Sequence, residues 1–343
     1  MIRNVLQKLT QKVDLTAEEA YSLIAAIKND ELSDVQIAGF QVALLMKGPT
    51  LTEITAIAQA MRDNCIKVSP RVSEELMDTC GTGGGLSTFN ISTSVAFVAA
   101  AAGIPVAKHG SRSISSLSGS ADVLEALNVN INQSPQSVEK LIEEVGIAFL
   151  YAPLFHPVMG KVLPPEKDLG IKTIFYTIIG PLINPSKATR HVLGVYKQEL
   201  LDTVSHVAAS LGYKRALFVH GADGLDEISL LGITKINELN NGAITSYEIT
   251  PEDLGLSRCT LAEIATGTPE ENAFMIRNVF SGKDRGPRRQ AVILNAAGAL
   301  MIGGKADSFR EGIRLAGELI DNGAAKNKLN DLISASHDFG MAV

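Results

Sequence analysis

Tryptophan is missing from this chain of 343 residues and aromatic side chains make up 5% of it, so the stacking platforms that hold single-stranded nucleic acid are absent. Cysteine is nearly as scarce. Cys65, Cys80 and Cys259 stand far apart with no CxxC pair, which speaks against a disulfide framework or a zinc finger and for reduced thiols in a cytoplasm. The most apolar run, Val95 to Val106, is broken by Gly103 and Pro105 well short of a membrane span, and MIRNVLQKLTQKVDL carries no apolar signal core. An excess of positive charge is lacking too. The 31 Lys and Arg against 37 Asp and Glu leave a formal charge of −6, the wrong sign for a general nucleic-acid binder. What remains, 45% hydrophobic and 20% charged, is the composition of a globular cytoplasmic protein with no membrane or nucleic-acid partner.

Up to about residue 64 the pattern is helical alone. Thr16, Ser33 and Thr52 read as N-caps before AEEAYSLIAAIKN, DVQIAGFQVALLMKG and EITAIAQAMRDN, with Leu23, Ile24 and Ile27, then Ile37, Phe40, Leu44 and Leu45, at helical steps. The apolar excess of the second segment could cover a larger domain or a second copy of the chain. CIKVSPRVSEE breaks the pattern as a linker at about 65–75. Beyond it, strands at Ile104 to Ala107, Ile147 to Tyr151, His191 to Val195 and Ala216 to His220 alternate with helices such as SPQSVEKLIEEVG and QELLDTVSHVAASLG. KINELNNGAITSYEI reads as a hairpin turning at Asn241 and Gly242, and two helices follow around Arg288 to Ile302 and Asp307 to Asn322. This predicts an α/β protein: a small all-helical domain plus a large α/β domain with a mostly parallel central sheet.

Three polar elements carry the chemistry. DTCGTGGGLSTFNIST brings Gly81, Gly83, Gly84 and Gly85 to the start of an apolar helix near Asn90 to Thr93, where close-lying backbone and free N–H groups suit an anion. It is neither a Walker A loop nor GxGxxG. KHGSRSISSLSGS then supplies point charge and hydroxyl donors for a polyphosphate, and HGADGLDEIS sets Asp226 beside Glu227 after a glycine turn, an arrangement suited to magnesium. Each alone is an ordinary surface feature: a tight turn, a polar loop, adjacent acids. His191, His206, His220 and His337 show no metal-binding spacing.

Taken in order, GTGG, FNIST, AKHGSRSISSLSGSADVLEAL, FLYAPLFHPVM, LGIKTIF, GPLINP and VHGADGLDEIS resemble the anthranilate phosphoribosyltransferase family. The resemblance covers most of the chain. It implies a helical domain over residues 1–70, joined by helices from about 155–188, beside a large domain over 71–343, as a homodimer. It also implies transfer of the phosphoribosyl group of phosphoribosyl pyrophosphate (PRPP) to the amine of anthranilate. By carry-over, Gly81, Thr82, Gly83, Gly84, Thr88, Asn90, Ser92, Thr93, Lys108, Ser115, Ser116 and Ser120 would hold PRPP. Mg2+ would be held by Ser92, Asp226 and Glu227. Lys108 and Arg112 are electrostatic candidates, and no residue is needed as a strong acid or base. The acceptor, an aromatic amine, would meet Gly81, His109, Ser111, His156, Glu166 and Tyr176.

The acceptor half departs from the family's pattern. The family reads KHGNR where this chain has Ser111. A PVRRELGIRT-like stretch becomes PPEKDLGIKT, with Glu166 in place of an Arg that pairs with the anthranilate carboxylate. FNLLGPL becomes FYTIIGPL, with Tyr176 for Asn, and Gly85 replaces an Asp in a loop one residue shorter. A carboxylate facing a carboxylate is repulsive. Either Lys167 takes over, or the helix is displaced by a turn, or the acceptor lacks the carboxylate. A catalytically silent paralogue that binds nucleic acid or a partner protein is the remaining reading, and Lys108, Ser92, Asp226 and Glu227 speak against it.

Overall fold

The computed structural model describes residues 1–113 and 116–339. Its N-terminal stretch forms α1 (Ile2–Thr10), α2 (Ala17–Lys28), α3 (Asp34–Lys47) and α4 (Leu51–Asp63). Thr16 and Ser33 open α2 and α3 through capping boxes with Glu19 and Gln36. The fourth helix begins earlier than predicted. Thr50, not Thr52, is its cap, because Glu53 stands three residues after Thr50 and closes the box. The buried Glu53 also accepts from Leu15 N at 2.8 Å and pairs with Lys47 at 2.8 Å, so this cap ties three segments together.

From residue 77 strands and helices alternate: β1 (Met77–Gly81), α5 (Ile91–Ala101), β2 (Val106–Gly110), α6 (Ser120–Ala126), α7 (Pro135–Val145) and β3 (Ile147–Tyr151). Next come α8 (Ala152–Phe155), α9 (Met159–Leu169), a π-helical turn at Phe175–Ile179 and α10 (Gly180–Leu182). The chain then returns to the sheet with β4 (Arg190–Gly194), α11 (Leu201–Ser210), β5 (Arg215–Gly221), β6 (Thr234–Asn240) and β7 (Ala243–Ile249). It ends in α12 (Leu261–Ile264), α13 (Pro269–Phe280), α14 (Pro287–Ile302), α15 (Phe309–Asp321) and α16 (Ala324–Phe339). The strand expected at Ile104 runs two residues later. The C-terminal α16 was not expected, since its apolar face is only the narrow stripe Ala325, Leu329 and Leu332. Asn241 and Gly242, at φ 48° and 90°, form the predicted hairpin turn.

The seven strands lie in the order β3-β2-β1-β4-β5-β6-β7, parallel from β3 to β5 and antiparallel at β6 and β7. Side chains alternate between two cores. Leu217 and Val219 join α5 and α14 on one face, while Ala216, Phe218, Leu193 and Val195 pack with α11 and the N-terminal helices on the other. The chain builds outward in one direction after β1 and in the opposite direction after β4. The crevice between the carboxyl ends of these two neighbours is therefore the switch point at which such sheets bind ligands.

Candidate active site

β1 and β4 end in register on Gly81 and Gly194, with no side chain between them. Asp226 fills the gap. A Cβ on Gly194 would lie 1.6 Å from the Asp226 carbonyl oxygen, and one on Gly81 would lie 2.2 Å from Asp226 Oδ2. The same carboxylate accepts from Gly83 N at 2.8 Å. Thr82, buried, donates its N–H to Gly194 O at 2.9 Å and accepts from Tyr196 N through its hydroxyl at 3.1 Å. Gly83 and Gly84 adopt φ of 65° and 92°, the left-handed region that favours glycine. Gly85 is required for a different reason: a Cβ there would stand 2.3 Å from Gly224 O. The loop thus rests directly on the turn that carries the acids.

Beyond the loop, Thr88 forms an isolated bridge with Ala265, and Asn90 caps α5. Asn90 Nδ2 donates to Ser118 O at 3.2 Å, while its Oδ1 accepts from Ser118 Oγ at 3.2 Å and from buried Asn272 Nδ2 at 2.8 Å. The serine block is thereby fastened to the start of α5. Ser116 is exposed and hydrogen-bonded to Ser113, Ser120 Oγ donates to Ser111 O at 3.3 Å, and Ser115 lies outside the described residues. Ser92 is half-buried, and its backbone amide acts on the Glu227 carboxylate. Burial pushes both acids up, Glu227 further because Asp226 is its neighbour, with Lys108 opposing.

Two expected phosphate contacts turn elsewhere. Thr93 is buried among Ala96, Phe97 and Leu124, its hydroxyl without a partner among the described residues, one step around α5 from the half-buried Ser92. Arg112 is exposed and held by Asp122 at 3.0 Å and Glu125 at 2.6 Å. Asp122 Oδ2 also accepts from Ser113 N and Gly119 N, so this ion pair braces the serine block instead of facing the glycine loop. Lys108 is buried and donates to the Thr79 carbonyl, and burial lowers its pKa against the pull of Asp78. Asp78 is itself saturated by Thr79 N, His109 N and Asn184 Nδ2, the last at 2.7 Å. Cys80 Sγ lies 3.2 Å from His191 Nε2 beside it.

The acceptor-side residues form a different kind of surface. His109 and His156 are buried with ring centroids 4.9 Å apart, and His109 Nε2 and both nitrogens of His156 have no hydrogen-bond partner among the described residues. Desolvation pulls His156 down to about 4 and His109 well below its ordinary value, so both are neutral. Ser111 is exposed. Glu166 is buried in α9. One carboxylate oxygen accepts from Thr173 N and the other has no partner among the described residues; burial raises its pKa, with Lys172 opposing. Lys167 is exposed on the same helix. Tyr176 lies under the ammonium of Lys172, 4.7 Å from the ring centroid, and a Cβ on Gly83 would stand 3.8 Å from its hydroxyl.

Residues 3–65 match the family described as glycosyl transferase family, helical bundle domain, and residues 73–326 match glycosyl transferase family, a/b domain. The anthranilate phosphoribosyltransferase of Desulfosudis oleivorans is 46% identical over 341 residues, covering 99% of this chain and 100% of its own. That of Methanobrevibacter smithii is 47% identical over 334 residues, covering 97% and 98%. The chain belongs to this family. In the solved structures the fold recurs in the Thermus thermophilus enzyme, with TM-score 0.91, 40% identity and coverage of 97% and 99%. The Saccharomyces cerevisiae enzyme in complex with PRPP and Mg follows at TM-score 0.89 and 29% identity, covering 98% of each chain.

Several supporting residues escaped the sequence reading. Asn184, in GPLINP, donates to Asp78 and to Ala107 O at 2.7 Å each. Asn272 holds Asn90, Gly267 N at 2.8 Å and Thr266 at once. The order of blocks that carries the family resemblance marked the segment around Asn184, but nothing local marked Asn272, whose partner is 182 residues away. Lys172 was visible in LGIKTIF as a residue, not as a neighbour of the glycine loop.

Proposed function

We propose that the protein transfers the 5-phosphoribosyl group of PRPP to the amine of anthranilate, releasing pyrophosphate, as a step of tryptophan biosynthesis. The observation that carries this is the glycine loop closed on Asp226 at the sheet's switch point, in a chain that matches its anthranilate phosphoribosyltransferase relatives over full length. The polyphosphate is read onto the loop amides of Gly81 to Gly84, the start of α5 at Asn90 and Ser92, and the serine block. Displacement at C1 passes through a sugar-centred positive charge, so stabilising the leaving pyrophosphate and aligning the amine outweigh strong-base catalysis. Thr88, Ser116, Ser120 and Lys108 complete this half.

Two half-buried adjacent acids, one held by a loop amide and the other by the Ser92 backbone amide, fit a hard divalent cation shared with phosphate oxygens. Mg2+ held by Asp226, Glu227 and Ser92 would neutralise the charge of the departing pyrophosphate. The neutral imidazoles of His109 and His156 offer hydrogen-bond acceptors and a buried lining for an aromatic ring. Residues 1–70 with 155–188 are read as one domain and 71–343 as the other. Exposed Val35, Leu45 and Met46 on α3 support a homodimer through the helical part. The described residues contain no helix long and apolar enough to cross a membrane, which is compatible with a cytoplasmic enzyme.

Glu166, with its bare carboxylate oxygen, favours one second reading: the same chemistry on an aromatic amine lacking the carboxylate. The experiment combines PRPP, Mg2+ and a panel of aromatic amines and follows pyrophosphate release. Release with anthranilate is expected; no release with anthranilate alongside release with another amine would replace the first reading by the second.

A further inference from the structure

Two of the other cations of the site are already engaged, Lys108 by the Thr79 carbonyl and Arg112, in the serine block, by Asp122 and Glu125. Lys172 is different. Among the described residues its ammonium has no hydrogen-bond or ion-pair partner; it rests on the face of Tyr176, 4.7 Å from the centroid, which fixes where an otherwise exposed charge sits. A Cβ on Gly84 would stand 3.7 Å from that nitrogen.

The loop therefore has a negative and a positive end. Asp226, with Glu227 next to it in the chain, approaches it at Gly81 and Gly83, and Lys172 approaches it at Gly84. A metal-bound polyphosphate suits the carboxylates, whereas an acceptor that bears its own carboxylate is repelled there and attracted to the ammonium. Glu166 lies within Coulombic reach of Lys172, but it makes no ion pair with it: one carboxylate oxygen is turned onto Thr173 N, and burial favours the neutral acid.

We infer that Lys172, stacked on Tyr176, receives the carboxylate of the acceptor and determines the preference for an anionic aromatic amine. This rests on the proposed transfer to anthranilate. An ammonium is a point contact and not a fork, so Lys172→Arg is expected to serve as well or better.

The test compares the wild type, Lys172→Met and Lys172→Arg with PRPP and Mg2+, using anthranilate and its amide, 2-aminobenzamide. Lys172→Met is expected to raise the KM for anthranilate about ten- to a hundredfold, leaving the KM for PRPP and kcat/KM for the amide within about twofold, while Lys172→Arg restores anthranilate use. Thermal melting reports whether each variant is folded. An unchanged anthranilate KM in Lys172→Met, a raised PRPP KM in its place, or equal losses with both acceptors would overturn the inference while leaving the functional reading intact. A wild type that releases no pyrophosphate with anthranilate would overturn both.

Discussion

The two halves of the site are built on opposite principles. Around the glycine loop nearly every polar group is answered: Asp226 by Gly83 N, Thr82 by Tyr196 N, Asn90 by Ser118 and Asn272, Asp122 by two backbone amides. Around α9 and β2 the buried groups are left bare, at His109 Nε2, both nitrogens of His156 and one oxygen of Glu166. A buried polar atom without a partner is costly, and a protein retains one where something else supplies the partner. On the proposed reading, the donor half is preorganised by its own backbone and the acceptor half would be completed by its ligand.

The sharpest way to break this contrast is to remove the charge of the acids. Asp226→Asn with Glu227→Gln is expected to lower turnover about 10²–10³-fold with any acceptor, measured as pyrophosphate release at saturating Mg2+. Retained activity would mean that the loop amides suffice. Next in size is the fit of the loop itself. Gly194→Ala places a Cβ 1.6 Å from Asp226 O and should cost at least about tenfold in kcat/KM for PRPP and roughly 1–3 kcal/mol of stability, whereas Gly160→Ala on α9, with open space around it, should cost neither.

The buried histidines make the fold acid-sensitive. His156 and His191 have folded pKa values of about 4, below their ordinary 6.5, so the unfolded chain binds more protons between these values. The stability they support is complete above about pH 6.5 and is lost as pH falls toward 4. His156→Gln should flatten that slope by roughly 1–3 kcal/mol across the window, read from denaturant midpoints at stepped pH. Glu166 has the opposite sign. Burial raises its pKa, the folded state binds the extra proton, and stability falls as pH rises from the ordinary carboxylate range through the raised value. Glu166→Gln should therefore match the wild type in acid and exceed it by about 1 kcal/mol at pH 8. The smallest effect belongs to Arg112→Ala: an exposed ion pair lost, below about 1 kcal/mol in stability and less than a few-fold in PRPP KM.

Much of this was legible in the residues. Glycine spacing, an Asn-Gly turn and period-two alternation are local signals, and they located the loop, the hairpin and the strands. Side-chain direction is not local. Thr93 and Ser92 are adjacent, and the helix start alone does not say which of them faces inward. Arg112 is attracted equally by a phosphate and by Asp122, ten residues on, and only the folded serine block shows which it meets. Lys167 stood beside Glu166 in sequence, yet the cation at the loop is Lys172, brought there by the turn at Gly170 after α9.

The chain passes between the N-terminal helical core and the sheet at residues 64–76, again at 156–157, between Phe155 in the sheet core and Val158 in the helical core, and again at 183–189. Because α9 and the π-helical turn pack with α2 to α4 in one apolar core, cleavage of the first crossing would leave both pieces clasped by the other two. A protease that nicks the 65–75 segment should therefore yield two bands on a denaturing gel and a single particle in solution, with both halves of the cleft still facing each other.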